Sequence, residues 1–595
     1  MKINFKKINF LPIFVFSALS ASFFYLLFAT WFKWGGLLVD TFRDPLTIAK
    51  LINGKVLYKD IFYEYGFFPP YFLTFVCKMA GMHLNTMVGC GIALTILMSC
   101  VLYKISRFFL DVLVSGLVVF TFLFVFAFGF YCYNGIFNFI LPYSFASVFF
   151  ILFIALAVYF FIKFIFSEKN LYLWIWSMTI SLAIFSRIEM ALLAWAGFIM
   201  AGIIFIYRSN GKRRWRVGLC LITPLFIGIL GYSAFLFNLQ VFNGFKESIV
   251  DLILFSKSNL FIISGMGLDN ISQNAALMLK SFFLHIAAVF ILGVGSYLIS
   301  IFFLRKESHP ISLFLGIVII TAIFTLAQEF VKSFIQYNSL PLFILIGTLI
   351  FFMKSTSSPN YRKNISLFAL FLTSLIMVIK IFFNASPNFY GFYLLPLGLV
   401  CYYIIFFGIF RGKLEERYKY FSEPFFFYIL ACFFIVLAIS WWKIETVPYS
   451  SRNLIIHSEK GSIKRWGDDL TVKTLEAIVY LRENTNRDAK VIVVPEGGAI
   501  SFFSGRENPL KYSCIMPQNF GITSEDKIIS QFSESHADYI VIVARDTSEY
   551  GASSFGVDYA IVLNSWIKKN YELLKLIGPY PFTTNHYGIA IFKKK

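Results

Sequence analysis

The chain has 595 residues, 58% of them apolar and only 14% charged, with a mean hydropathy of +0.74. Soluble globular proteins carry about 25% charged residues, which excludes one large soluble enzyme. Phenylalanine occurs 76 times, in apolar runs long enough for helices that cross a bilayer with about 20 residues each. The composition is that of a polytopic membrane protein.

The formal charge is +20, from 52 basic and 32 acidic residues. The basic residues cluster at Lys2/Lys6/Lys7, Lys104/Arg107, Lys163/Lys169, Arg208/Lys212/Arg213/Arg214/Arg216, Arg305/Lys306, Lys354/Arg362/Lys363 and Arg411/Lys413/Arg417/Lys419. These clusters fall on alternate connections, as a single cytoplasmic face requires. The intervening stretches 133–143 and 384–390 contain no Lys or Arg. The excess charge orients the chain, and no nucleic-acid partner is needed to explain it. Of the eight cysteines only Cys514 lies in the polar tail. Neither CxxC nor a Cys/His metal spacing occurs, so no disulfide framework or zinc site is indicated.

The apolar run after the N-terminal lysines continues through Phe23–Trp31, too long for a signal-peptide core. It reads as an uncleaved first span with its N-terminus inside. About 13 helical spans are expected, at 9–32, 84–103, 112–132, 144–166, 171–187, 189–207, 217–239, 281–304, 311–328, 340–353, 365–383, 391–410 and 424–442. Trp31/Trp34, Tyr131/Tyr133 and Trp441/Trp442 are the expected interfacial aromatics. An odd span count puts the C-terminus outside. Segment 33–83 is then a first outer loop, broken at Pro69-Pro70, and 240–280 is an amphipathic segment along the interface. From about residue 443 the composition becomes that of a water-soluble domain. Leu475–Asn484 and Ile561–Leu576 are helix candidates, and Lys490–Pro495, Tyr539–Ala544 and Tyr587–Phe592 are strand candidates. Together they imply a small α/β domain over 443–595.

Ionisable groups at the membrane surface are costly, so their positions are informative. Asp40 and Asp44 are spaced i, i+4, which places both carboxylates on one face of a helix. Such a pair repels unless a cation, substrate or proton separates it. The chemical reading is general base catalysis on an acceptor hydroxyl, worth about 10²–10⁴-fold in rate. The alternative is a solvated loop with helix-capping acids, helped by Arg43 between them. Asn53–Asp60 reads as a turn and a short rigid segment, followed by Tyr63-Glu64-Tyr65-Gly66. Lys55 and Lys59 are candidate phosphate ligands, or ordinary snorkelling lysines. Arg187 and Glu189, at the outer junction of two spans, are a neutralised pair or a substrate site. Asn138–Ser144, Gln336-Tyr337-Asn338 and Asn388–Tyr393 fall on the same side, each as an interface loop or together as the lining of a polar groove. Gly497-Gly498, after a strand, is a ligand turn or a plain strand-to-helix turn. No dinucleotide fingerprint, P-loop or nucleophile elbow is present.

The acidic loop opening Asp40-Thr-Phe-Arg-Asp44, then Gly54-Lys-Val-Leu-Tyr-Lys-Asp60, Tyr65-Gly66 and Pro70-Tyr71, resembles the GT-C-fold glycosyltransferases. The similarity is to bacterial proteins related to family 39, the dolichyl-phosphate-mannose–protein mannosyltransferases. It covers 1–442 in architecture and is motif-specific in 36–71. Where the family has Gly-Pro after the tyrosine, this chain has Gly66-Phe67-Phe68-Pro69. Where several relatives carry a late-loop His, it has Gln336 and Asn338. The tail, with Val494-Pro-Glu-Gly497 and Gly505-Arg506, looks like that of uncharacterised bacterial relatives.

The resemblance implies a multi-pass protein of the bacterial inner membrane. It would transfer a sugar from a polyprenyl-phosphate-linked donor to a glycan, lipid or protein acceptor on the extracytoplasmic face. The family's first-loop acids map to Asp40 and Asp44. Arg43, Lys55, Lys59 and Arg187 are then the candidates to help the leaving phosphate, with Asp60, Glu64 and Glu189 in the substrate-binding set. No cofactor is required by that scheme, although a carboxylate pair can hold a divalent metal. A flippase or transporter of lipid-linked sugars is the alternative of a different class, but the halves show no visible pseudo-symmetry. An O-antigen ligase or polymerase is a third reading, not expected to open with this loop. A cysteine introduced beside the aspartates should react with a membrane-impermeant maleimide added outside intact cells; reaction only after permeabilisation would reverse the topology.

Overall fold

The computed structural model describes residues 10–38, 40–129, 135–209, 214–258, 260–305, 337–409 and 423–595, with residues 318, 322, 323 and 325 between them. The helices run α1 (Phe10–Thr30), α2 (Arg43–Ile52), α3 (Phe68–Ala80), α4 (Leu84–Ser106), α5 (Val112–Thr121), α6 (Phe145–Ser167), α7 (Asn170–Ser186) and α8 (Ile188–Arg208). They continue as α9 (Arg214–Asn238), α10 (Phe242–Ser258), α11 (Leu260–Gly265), α12 (Ile271–Arg305), α13 (Leu340–Ser357), α14 (Tyr361–Val378), α15 (Leu395–Tyr403) and α16 (Glu423–Thr446). Among the described residues, nine helices are long and apolar enough to cross a membrane, and three shorter apolar helices accompany them. The expected span at 311–328 lies mostly outside the described residues; the others each fall on a helix. Also outside them are Lys2, Lys6, Lys7, Tyr131, Tyr133, Lys212, Arg213, Lys306, Gln336 and the 411–419 basic cluster.

α6 is apolar all round and forms the centre, packed against α4, α7, α8 and α14. A helix hydrophobic on every side belongs in the interior. Its start is fixed by Ser144, whose hydroxyl accepts the Ser147 N–H. α1 is the opposite case: Phe14, Phe16, Phe24 and Phe28 stay exposed on its outer face, as a lipid-facing helix requires. Among the described residues, three of the basic clusters meet at one end of the bundle. There Arg362 pairs with Glu168, Arg208 donates to the Ser358 carbonyl, and Lys163 lies over Tyr159 and Tyr172.

Several expectations change. Trp34 and Trp441 are buried in the core rather than placed as interfacial anchors. Segment 33–83 contains two helices, and Pro69-Pro70 opens α3 instead of breaking the loop, because proline's missing N–H costs nothing in a first turn. Asn138 is a buried turn-former: its amide donates to the Gly135 carbonyl, and its oxygen accepts from Ile140 and Leu141.

After α16 come a hairpin of β1 (Leu454–Ser458) and β2 (Gly461–Arg465), then α17 (Asp469–Asn484). A four-stranded sheet follows in the order β3-β4-β6-β5, from β3 (Val491–Val494), β4 (Tyr539–Val543), β5 (Tyr571–Ile577) and β6 (Ile589–Lys594). β3 and β4 are parallel; β6 is antiparallel to both of its neighbours. Helix α18 (Gly498–Ser504) follows β3. The helix expected over 561–576 ends at Asn570, and the remainder is β5. There pairing with β6 overrides local helix propensity.

The C-terminal domain is seated on the first loop. Lys50 of α2 is buried and donates to the Leu510 carbonyl at 2.5 Å; burial pulls its amine down to about 8. Phe62 N–H donates to Lys511 O, and Lys464 N–H to Phe32 O. Arg452 reaches the Lys33 carbonyl, its guanidinium lying 4.1 Å from the Tyr449 ring centroid and 4.2 Å from that of Trp466.

Gly66 marks a tight approach of loop to bundle. Its N–H donates to Ser186 O at 2.9 Å, and a Cβ there would lie 2.0 Å from the Phe185 carbonyl oxygen. Gly66→Ala should therefore cost about 1–3 kcal/mol, read as a lower unfolding temperature. Gly89→Ala, on an exposed helix face with open space around it, should leave that temperature unchanged or raise it.

Candidate active site at the loop end of the bundle

Asp40 sits just before α2 with φ of +52°, a left-handed conformation that Asp tolerates better than most side chains. The two aspartates therefore do not share a helix face: α2 begins at Arg43, after Asp40 and before Asp44. Their surroundings differ accordingly. Asp44 is buried, with one oxygen accepting the Phe145 N–H at 2.7 Å and the other the Tyr63 hydroxyl at 3.3 Å. Burial raises its carboxyl above the usual range, against the opposing pull of Arg43. Asp44 thus satisfies one of the N–H groups left without an intrahelical partner at the start of α6.

The Asp40 side chain remains 18% exposed. It accepts the Tyr390 hydroxyl at 2.6 Å and lies 3.6 Å from Arg43. Arg43 also donates to the Tyr143 carbonyl at 2.8 Å and lies 3.5 Å from Glu64. The Arg43 guanidinium is 5.3 Å from the centroid of Tyr65, and that of Arg187 is 4.7 Å from the same ring. Tyr65 therefore contacts both cations, a favourable use of the π faces. Arg187 donates to Glu189 at 2.8 Å, to the Ser147 hydroxyl at 3.0 Å and to the Tyr393 hydroxyl. Asp40, Arg43, Glu64, Arg187 and Glu189 are thus gathered through tyrosines into one polar cluster.

Lys55, Lys59 and Asp60 are not part of it by any contact. Both lysines are exposed, and Asp60 accepts the Val56 N–H at 2.8 Å, closing the turn after α2. Two groups that the sequence reading did not assign to the site do belong. Lys380, exposed at the end of the span that includes α14, interacts electrostatically with Arg187 and Glu189. A lone lysine at the otherwise non-basic end of an apolar span was the signal for it. Glu496 follows β3 and is buried beside Arg545, which follows β4, with Nε to carboxylate at 3.4 Å. Among the described residues no group of three or more His, Cys, Asp or Glu is placed to hold a metal ion.

Chemically, the cluster sets an accessible carboxylate beside fixed cations. That suits proton removal from one group and charge stabilisation on another.

The sequence matches no family model and no curated protein. The structure is similar to that of the apo oligosaccharyltransferase of Archaeoglobus fulgidus, with a TM-score of 0.50 over 91% of this chain and 70% of that one, at 13% identity. ArnT of Cupriavidus metallidurans, bound to undecaprenyl phosphate, aligns over 97% of each chain with a TM-score of 0.44 and 11% identity. The chain is thus a many-helix membrane protein with a small C-terminal sheet domain, built on the GT-C fold.

Proposed function

We propose that this protein is an integral-membrane glycosyltransferase. It transfers a sugar from a polyprenyl-phosphate-linked donor to a hydroxyl or other nucleophile of a glycan, lipid or protein on the extracytoplasmic face. The observation that carries the reading is the environment of Asp40: a partly accessible carboxylate held by Tyr390 and Arg43, at the bundle end where the first loop meets the C-terminal domain. The shared fold with an oligosaccharyltransferase supports the reaction class.

In this reading the acceptor O–H donates to Asp40 as its oxygen bonds to the sugar anomeric carbon. The bond from that carbon to the phosphate oxygen breaks, and the electron pair leaves with the phosphate. In this reading Arg187 and Lys380 are the cations that stabilise the leaving phosphate. Arg43 and Glu64 hold Asp40 and the loop, while Asp44 anchors α6 and acts as a positioning residue. The isoprenoid tail would remain among the bundle's lipid-facing helices.

Asp40→Asn should lower transfer by about 10²–10⁴-fold in proteoliposomes supplied with labelled polyprenyl-phosphate sugar, with membrane insertion unchanged. Wild-type activity in that variant removes Asp40 as the base. Lys380→Ala should raise the KM for the donor about tenfold, the loss expected for one charge-assisted contact, with unchanged unfolding temperature.

A further inference from the structure

Asp40 is braced from the C-terminal domain as well as from the bundle. The turn after β3 lies against residues on both sides of it. Ala499 N–H donates to the Leu37 carbonyl at 3.2 Å, and a Cβ on Gly498 would lie 2.8 Å from that of Phe42. Phe42 in turn packs on Phe502 and Phe503 of α18, with ring centroids 5.4 and 5.2 Å away. Between these contacts, the buried Glu496 carboxyl lies against the backbone of Asp40 itself.

The position of Glu496 follows from the sheet. β3 and β4 are parallel, and Glu496 and Arg545 leave their carboxyl ends side by side. In open sheets that edge is where ligands are met; here it faces the first loop of the bundle.

We propose that Glu496 is a positioning residue for Asp40, supplied by the C-terminal domain. It fixes the left-handed Asp40 backbone, so that the Asp40 carboxylate stays on Tyr390 and open to an acceptor. The domain is then a structural part of the reaction centre. Its kinetic consequence rests on the transferase reading; its linkage to Asp40 does not.

The charges around Glu496 give the inference its sign. Arg545 and Glu549 come from the segment after β4, with Tyr550 beside them; Asp40 faces Glu496 from the first loop; Cys514 comes from the segment before residue 517; Tyr390 comes from the loop before α15. Burial, reinforced by the Asp40 charge and opposed by Arg545, pushes the Glu496 carboxyl from its ordinary 4.5 up to about 8. A carboxyl raised in this way stabilises the fold through its retained proton. That contribution is full below about pH 4.5 and is lost as pH rises through about 8. Ionisation then sets a second negative charge against Asp40.

Thermal unfolding of the full chain tests the linkage without any substrate. Relative to wild type, Glu496→Gln should gain in unfolding temperature progressively from about pH 5 to about pH 9. In an Asp40→Asn background that pH-dependent gain should shrink. A gain that does not vary with pH, or that is the same with Asn at position 40, overturns the proposal. In the transfer assay, Glu496→Gln should retain kcat within about twofold and lose the decline of the wild type above about pH 8. Glu496→Ala should lower kcat at least about tenfold with the donor KM unchanged. A Glu496→Ala variant with wild-type kcat and pH profile also overturns it. Absence of transfer by the wild type with every donor tried would count against the transferase reading, and the unfolding comparison would still decide for or against Glu496.

Discussion

The positive charge of Arg43 is what the acidic end of the bundle is arranged around. A largely buried guanidinium must be met by acceptors and ring faces, or its desolvation is not offset. Asp40 and Glu64 supply charge, the Tyr143 carbonyl a hydrogen bond, and Tyr65 and Tyr143 their rings. Those partners come from the residues before α2, from the segment before α3 and from the turn before α6. Satisfying one side chain therefore fixes where three pieces of chain meet. The Asp44 carboxylate then ties the same helix to the start of α6 through Phe145.

Tyrosine does the connecting. Tyr65 touches both arginines, Tyr390 holds Asp40, and Tyr393 holds Arg187. Tyr390 and Tyr393 present a hydroxyl to the charges and Tyr65 its ring face, a division of labour suited to the boundary between hydrocarbon and water. The arrangement leaves neither the acid nor the cations bare, with Asp40 3.6 Å from Arg43.

The spans that fall on described residues were legible in the sequence because each is a long apolar run ending near basic residues or turn chemistry. Arg187 and Glu189 stood out for the related reason that charges are rare between two spans. The i, i+4 reading of Asp40 and Asp44 failed because helix geometry was assumed before the helix begins; the left-handed turn at Asp40 has no local glycine to announce it. Glu496, Arg545 and Lys50 were illegible for a different reason. Lys50 and Glu496 meet partners hundreds of positions away, Arg545 meets Glu496 49 positions away, and no local pattern encodes these contacts. The 561–576 segment shows the same limit: its second half is a strand because β6 is there to receive it.

The seat of the C-terminal domain near the end of α1 has a particular character. Arg452 is fully buried between Tyr449 and Trp466, and both it and Arg465 donate to main-chain oxygens at Lys33 and Gly35. Mobile ions screen exposed pairs far more than buried ones, and carbonyl oxygens do not titrate. The hinge between membrane and soluble parts is thus made of groups that ionic strength and mild acid leave alone, so the cap stays fixed while the surface charges around it come and go.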